Sequence, residues 1–189
     1  MVCGNRLSGM GAMTQVAEPD LTGIVTSAAE GDQFAFGRIV AAHHEDMRRV
    51  CVFVTRDDTL AEDATQMAWT VAWQKLSTLR EPDRLRPWLI SVAVNQAKDL
   101  LRSRSRRSQL EVATDASRVS GGIDPATGIE RLDALEAMGR LKPDDRALIA
   151  MRYVLGFDAT ELAAATGSSP AGMRQRLKRL MDRLRQELA

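Results

Sequence analysis

The feature that most constrains this chain is the spacing of its apolar residues, which from Leu21 onward recur three and four positions apart. That spacing places side chains along one face of an α-helix. No segment of useful length shows the alternation typical of a half-buried strand. Aromatic residues make up only 4% of the chain, while Ala, Leu, Arg and Met are plentiful, which also favours helix over sheet. The sequence therefore predicts an all-α protein.

One predicted helix, within residues 57–76, is apolar over a large part of its circumference. Its apolar positions form a main stripe and an extension of it: Leu60, Ala64, Met67, Ala68 and Val71, then Trp69, Trp73 and Leu76. A helix of this kind lies at the centre of a bundle or is covered by a partner. For the two tryptophans, core packing is the favoured interpretation.

The next two segments are a predicted loop and a third strong helix. Residues 77–86 are polar and carry Pro82, so we expect a loop there. Pro87 suits the first turn of the helix that follows, and this helix ends in a basic run at Arg107.

Two segments interrupt or precede the helical pattern and set the domain boundaries. Residues 108–127 lose all periodicity and contain Gly121-Gly122, which indicates a flexible linker. Residues 1–20 lack the apolar stretch of a secretory signal and are predicted to be a flexible leader. We therefore expect two small helical domains, at residues 21–107 and 128–189.

The second domain contains residues that start and end helices with the spacing of a helix-turn-helix. Asp158 and Glu161 have the spacing of a capping box, and Gly167 suits the left-handed residue that closes a helix. A helix at 159–166, a three-residue turn and a second helix starting at Ser169-Pro170 follow from this pattern. The buried stripe of the second helix is predicted to be Met173, Leu177, Leu180, Met181, Leu184 and Leu188. On these residues alone, any helical hairpin with a glycine turn remains an alternative.

The net charge of +1 conceals two separate basic blocks, each at the end of an apolar helix. They comprise Lys98, Arg102, Arg104, Arg106 and Arg107, and Arg174, Arg176, Lys178, Arg179, Arg183 and Arg185. Two such blocks on a balanced chain favour binding to a polyanion over solvation alone.

Other chemistries have little support in the sequence. There is no apolar run of membrane-spanning length, so we expect a cytoplasmic protein without membrane insertion. Cys3 and Cys51 are expected to be reduced, although a disulfide between them remains open. His43 and His44 are adjacent on a helix and point about 100° apart, so they do not chelate a metal together. No catalytic constellation or phosphate loop is recognisable, which predicts a protein that is not an enzyme and holds no cofactor.

Three motifs in one order resemble the RNA polymerase sigma factors of the extracytoplasmic-function group. Residues 61–73 resemble region 2.2, residues 86–107 resemble regions 2.3 and 2.4, and residues 141–180 resemble region 4. The resemblance implies a sigma region 2 bundle and a sigma region 4 helix-turn-helix joined by the flexible linker. It implies a promoter-specificity subunit that binds core RNA polymerase through the β′ clamp helices and the β flap. Promoter DNA is the other implied partner, and an anti-sigma factor is compatible with the resemblance.

The resemblance also assigns residues to each contact. The implied core polymerase contacts are Asp63, Gln66, Met67 and Thr70, with Met67 replacing the family's usual acidic residue. The implied minus-ten contacts are Arg80, Arg84, Trp88, Asn95, Lys98, Arg102, Arg104 and Arg106. The implied minus-thirty-five contacts are Ser169, Gly172, Arg174, Gln175, Lys178 and Arg179. Packing is favoured for Trp88, and Asn95 equally suits a base contact or a structural hydrogen bond.

Two other functions compete with this interpretation. A helix-turn-helix regulator acting without polymerase would not need the domain around residues 57–107. A helical adaptor or an enzyme with merely solvated basic faces would bind without a steep salt dependence. The flexible linker would also allow the two domains to close on each other in the free protein and mask the basic faces.

Overall fold

The computed structural model describes residues 21–110 and 138–187, and within these ranges every regular element is helical. The N-terminal bundle consists of α1 (Leu21–Ala29), α2 (Gln33–Thr55), α3 (Asp58–Lys75) and α4 (Leu85–Leu110). The C-terminal part contains α5 (Pro143–Ile149), a π-helical segment (Ala150–Val154), α6 (Ala159–Thr166) and α7 (Pro170–Glu187). The prediction of an all-α fold is thereby confirmed.

Local caps set where α2 and α3 begin. Gly31, with φ of 101°, ends the first helical segment, and the Asp32 carboxylate accepts hydrogen bonds from the backbone N–H groups of Phe34 and Ala35. Asp57 caps α3 in the same way through Leu60. Arg56 between them adopts the left-handed conformation, with φ of 59°, which turns the chain sharply from α2 into α3.

The bundle core lies where α3 packs between α2 and α4. The residues of α3 that face this core are small, and Ala61, Ala64, Ala68 and Ala72 are fully buried. Small side chains let neighbouring helix backbones approach closely, which lets this face of α3 pack against both α2 and α4 while its opposite face stays exposed. Trp69 is buried as expected, whereas Trp73, also expected in the core, is 39% exposed and packs on Phe36 at a ring-centre distance of 4.8 Å. Met67, expected in the apolar stripe, is 44% exposed and points outward.

Helix α4, the third strong helix predicted from the sequence, differs from expectation at both of its ends, and so does the loop before it. The predicted loop at 77–86 contains two 3₁₀ turns, Leu76–Thr78 and Pro82–Arg84, and α4 begins at Leu85 rather than at Pro87. Proline is tolerated here because the first N–H groups of a helix have no intrahelical partner. At its other end α4 continues through Leu110, three residues into the segment 108–127 predicted as linker. The remainder of that segment and the predicted leader at 1–20 lie outside the described residues.

In the C-terminal part, helix α6 begins and ends at the capping residues predicted from the sequence. The Asp158 carboxylate accepts from Glu161 N at 2.8 Å while the Glu161 carboxylate accepts from Asp158 N at 2.8 Å, a complete capping box. Gly167, with φ of 66°, closes α6. A feature without a sequence signal is the π-helical turn before Gly156, where Leu155 N donates to the carbonyl of Ala150.

The two parts of the molecule are in contact. α5 and the π-helical segment pack against α2, and α6 packs against α4. Phe157, in the connection from the π-helical segment to α6, is completely buried. We call this contact between the N-terminal bundle and the C-terminal part the seam.

Candidate nucleic-acid interface

The exposed face near the start of α7 carries most of the predicted minus-thirty-five residues. Arg174, Gln175, Lys178 and Arg179 are all exposed, while Met173, Leu177, Leu180 and Leu184 are buried against the C-terminal part. The amphipathic division expected from sequence is therefore present for these positions, and Leu188 lies outside the described residues. Such a face presents planar and cationic donors that can reach base edges and phosphates in a major groove.

Ser169 and Gly172 have a structural role in aiming this helix. The Ser169 hydroxyl accepts a hydrogen bond from Gly172 N at 3.2 Å, as an N-cap residue does. A Cβ atom at Gly172 would lie 3.1 Å from that hydroxyl, so a larger residue would crowd the cap. These two positions were predicted as DNA contacts, and in the structure they form the cap of the first turn of α7.

A basic groove lies beside this face. It has a volume of about 400 Å³ and is lined by Arg174, Lys178 and Arg185 of α7 together with Arg152 and Tyr153 of the π-helical segment. Arg152 donates to the carbonyl of Phe157 at 3.0 Å, which fixes its guanidinium at one side of the groove. The groove extends the positive surface of α7 onto the preceding element.

The predicted minus-ten cations of α4 are exposed or half-buried, but most of them have acidic or backbone partners. Lys98 Nζ lies 2.7 Å from Asp144 Oδ1, and this hydrogen bond holds the pKa of Asp144 below its ordinary value. Arg104 pairs with Asp57 at 2.7 Å, and Arg102 pairs with Asp99 on its own helix. Arg106 donates to the carbonyl of Arg102 at 3.4 Å. The basic track is therefore present, with much of its charge compensated.

The remaining predicted minus-ten residues are separated from one another. Arg80 and Arg84 are exposed before α4, and Arg84 pairs with Glu81 at 2.7 Å. Trp88 is half-buried against the bundle core, which agrees with the packing interpretation. Asn95 is exposed and lines a cavity of about 280 Å³ at the seam, next to Lys98. The structure thus brings Asn95 and Lys98 together and leaves Arg80 and Arg84 at the other end of the helix.

The predicted polymerase contacts share one outward face of α3. Counted from Asp63, the other three residues lie three, four and seven positions further along the helix: Gln66, Met67 and Thr70. All four are exposed. The Gln66 side chain donates to Glu62 at 3.0 Å, which orders it along the helix. These four residues carry one carboxylate, no cation and a partly exposed apolar side chain, in contrast to the basic faces of α4 and α7.

Arg86 makes contacts with both parts of the molecule that the sequence did not indicate. It is the last residue of the loop predicted at 77–86, yet its guanidinium donates twice to Asp46 Oδ2, at 3.1 and 3.0 Å. The same group donates to the carbonyl of Leu155 at 2.7 Å and stacks 4.5 Å from the centre of the Phe157 ring. Arg86 therefore joins the bundle to the C-terminal part. No signal in the sequence connects positions 69 residues apart.

The histidines and the described cysteine have structural surroundings. His44 Nδ1 accepts a hydrogen bond from Trp69 Nε1 at 3.1 Å, and burial lowers the pKa of His43. Cys51 is a buried free thiol, and burial raises its pKa to about 11. Cys3 lies outside the described residues. Within residues 21–110 and 138–187 no group of three or more His, Cys, Asp or Glu side chains could hold a metal ion.

The described helices were also compared with the requirements for crossing a membrane. Among the described helices, none combines the length and the apolar character that crossing a bilayer requires.

Comparison with known proteins gives two family matches and several relatives. The family described as sigma-70 region 2 matches residues 39–107, and the family described as sigma-70, region 4 matches residues 131–184. The probable RNA polymerase sigma factor RfaY of Xanthomonas campestris pv. campestris is 34% identical over 168 residues, which are 85% of this chain and 42% of RfaY. The RNA polymerase sigma factor CarQ of Myxococcus xanthus is 31% identical over 163 residues, covering 84% of this chain and 92% of CarQ.

A solved structure is similar across both parts of the chain. CnrH, in complex with the cytosolic domain of CnrY, superposes with a TM-score of 0.64 at 28% identity, covering 87% of this chain and 94% of CnrH. The residues that form the three faces described above fall inside the two family matches. On these matches, the chain belongs to the RNA polymerase sigma factors of the extracytoplasmic-function group.

Proposed function

We propose that the three exposed faces divide the work of promoter-specific initiation among α3, α4 and α7. The outward face of α3 (Asp63, Gln66, Met67 and Thr70) binds core RNA polymerase at the β′ clamp helices. The basic track of α4 holds the opened minus-ten strand, and the start of α7 reads duplex DNA at the minus-thirty-five element. In this assignment residues 21–107 are region 2, residues 108–127 are the linker and residues 128–189 are region 4.

One observation carries the proposal: the faces differ in charge as their partners require. The two basic faces suit phosphate-bearing ligands, whose counterions are released on binding. The α3 face, with one carboxylate, no cation and Met67 44% exposed, suits a protein surface. Because each face lies on a separate helix, the chain can touch polymerase and promoter at the same time.

The minus-ten contact requires both charge and base recognition. Lys98, Arg102, Arg104 and Arg106 follow the strand backbone, while Asn95 is exposed and can hydrogen-bond a base edge. At the other end of α4, Arg80 and Arg84 are exposed and available to phosphates. Trp88 supports the packing of this helix start.

This function involves no chemistry performed by the chain itself and takes place in the cytoplasm, where polymerase and chromosome are found. The β flap is the second polymerase element in the proposal, contacted by region 4. An anti-sigma factor is a further partner in the proposal, and the CnrH structure, solved with the cytosolic domain of CnrY, shows that a similar chain binds another protein. A helix-turn-helix regulator acting without polymerase remains the second candidate, but it leaves the exposed α3 face without a role.

In vitro transcription with purified core polymerase on a genomic promoter library tests the proposal. We expect the chain to direct initiation at a subset of promoters and Asp63→Asn to weaken core binding. Asp58→Asn is the matched control, because Asp58 lies on the same helix but approaches Arg48 at 3.8 Å on the α2 side. A chain that binds promoter DNA yet neither binds core nor directs initiation would support the regulator instead.

A further inference from the structure

Two arginines, one at the end of α2 and one within α5, converge on the same short stretch of backbone. Arg56, which ends α2 in the left-handed conformation, places its guanidinium against Gly139, where a Cβ atom on that glycine would overlap it. Arg146 of α5 donates from Nη1 to the carbonyl of Leu141 at 3.3 Å. Gly139 and Leu141 are two positions apart, and the two guanidinium groups are close enough for their charges to interact.

Arg146 is a buried cation that lacks a negative partner. It is only 8% exposed, and its Nε is buried without any hydrogen-bond acceptor. Burial lowers the pKa of Arg146, and so does the neighbouring positive charge of Arg56. Leaving a buried charge uncompensated is costly, so buried charges in proteins are normally paired. The second cation beside Arg146 increases the need for an anion at this place.

The carboxylates next to this pair in the sequence are engaged with other cations. Asp57 accepts a hydrogen bond from Arg104 at 2.7 Å, and Asp145 accepts one from Arg176 at 3.0 Å. Within residues 21–110 and 138–187, neither arginine of the pair has a carboxylate partner. The protein therefore supplies two guanidinium groups at one place and no anion from these neighbours.

We propose that Arg56 and Arg146 form a binding site for a dianionic phosphate group, either free phosphate or the end of a phosphate monoester. The planar guanidinium donates two parallel N–H groups to the oxygens of such a ligand. Nη1 of Arg146 is engaged with Leu141, but its Nε–H has no acceptor and remains for the ligand. Arg56 is half-buried, so the ligand reaches it from solvent first.

A phosphate dianion matches this pair better than a single carboxylate does. Its charge compensates both guanidinium groups, and its oxygens point in several directions, so two arginines from different elements can bind it together. Neither arginine belongs to α4 or to the reading face of α7. The site is therefore separate from the proposed DNA contacts, and its test does not depend on them.

Thermal unfolding of the full-length chain tests the site, with inorganic phosphate compared to sodium chloride of equal ionic strength at about pH 8, where phosphate is mainly a dianion. A ligand that binds the folded chain raises its unfolding temperature. The test variants are Arg56→Gln, which removes the accessible guanidinium, and Arg146→Lys, which keeps the buried charge without the planar fork. Arg38→Gln is the matched control, because it removes the same charge from an exposed position of α2.

We expect phosphate at ten times its dissociation constant to raise the unfolding temperature of the wild-type chain and of Arg38→Gln by about 3–6 °C. Arg56→Gln should lose this rise, and Arg146→Lys should show a smaller one. A full rise in Arg56→Gln would place the bound phosphate elsewhere, for instance on the basic faces, and overturns the inference. An equal loss in Arg38→Gln also overturns it, because the response would then follow net charge alone.

Adenosine monophosphate and adenosine at the same concentrations identify the source of the phosphate group. A rise with phosphate alone assigns the free ion to the site, and a rise with the monophosphate, with or without phosphate, assigns a monoester. In both cases Arg56→Gln should abolish the rise. A wild-type chain that responds to neither phosphate nor the monophosphate, or that responds equally to adenosine and the monophosphate, overturns the inference.

Discussion

The two basic helices of this sigma factor differ in what their cations contact. On α4, Lys98 and Arg104 pair with carboxylates of α5 and of the α3 cap. On α7, the pairs that the structure describes involve Arg176, and Arg185, which lines the same groove as Arg174 and Lys178 but lies in a later turn. Arg174 and Lys178 have no ion pair in the described part of the chain and line an open groove. The comparison teaches that the proposed reading face of α7 has cations without a carboxylate partner among the described residues, whereas Lys98 and Arg104 of α4 would have to exchange carboxylates for phosphates to hold a strand.

The largest expected effect tests the α7 half of this comparison. Replacing Arg174 and Lys178 together by Ala should weaken duplex minus-thirty-five binding by about tenfold or more, since a specific base contact contributes about 1–3 kcal/mol. Core polymerase binding should be unchanged because α3 is untouched. Electrophoretic mobility shift with a duplex promoter fragment measures the effect.

The control for that variant is Arg185→Ala on the same helix. Arg185 lies in a later turn and pairs with Asp182 at 3.0 Å, so its removal should reduce duplex binding much less. An equal loss of binding free energy per removed charge in the two variants would mean that α7 acts only through its net charge. A loss of helical content by circular dichroism would instead assign Arg174 and Lys178 a structural role.

A smaller effect concerns the thiol of Cys51, which is buried in the bundle behind α4. Cys51 is fully buried, its thiol faces the carbonyl of Ala93 at 3.6 Å, and burial raises its pKa from 9.0 to about 11. The folded state keeps a proton that the unfolded state releases above pH 9.0, so stability falls as pH rises through the window between these values. We expect a loss of about 1.4 kcal/mol at pH 10 in a Cys3→Ser background, measured by urea unfolding.

Cys51→Ala in the same background is the reference, because it removes this titration and leaves the other alkaline groups in place. The pH-dependent part of the difference between the two proteins should vanish at pH 8, leaving the constant difference that comes from removing a buried side chain. In addition, Asp144→Asn should not speed the reaction of Cys51 with a thiol reagent, since the seam does not cover it. Faster labelling in that variant would mean that the bundle itself loosens when the seam opens.

Local features of the fold were predictable because they depend on neighbouring residues. The Asp158–Glu161 capping box and the left-handed Gly167 are set by positions within one turn, and both are as the sequence predicts. The start of α4 was misplaced by two residues because Pro87 fits several positions of a first turn equally well. Met67 was assigned to the apolar stripe because the helix is apolar over a broad surface. The spacing of its apolar residues does not show which part of that surface faces solvent.

The seam could not be predicted residue by residue. Arg86 and Leu155 are 69 positions apart, and Lys98 and Asp144 are 46 apart. Pairings at such distances depend on how whole helices dock, which neither helical periodicity nor turn chemistry encodes. The sequence indicated basic faces that a closed form could mask, but it gave no indication that Arg86 joins the two parts.

The most direct test of this account is the distance across the seam before and after promoter engagement. In a Cys3→Ser chain, Arg38→Cys on α2 and Gln186→Cys on α7 provide exposed labelling sites, and buried Cys51 is protected. Energy transfer between dyes at these sites should fall when core polymerase and a promoter that yields transcripts are added together. Unchanged transfer in a complex that initiates transcription would contradict the account, because α4 would then hold the strand with the seam still closed.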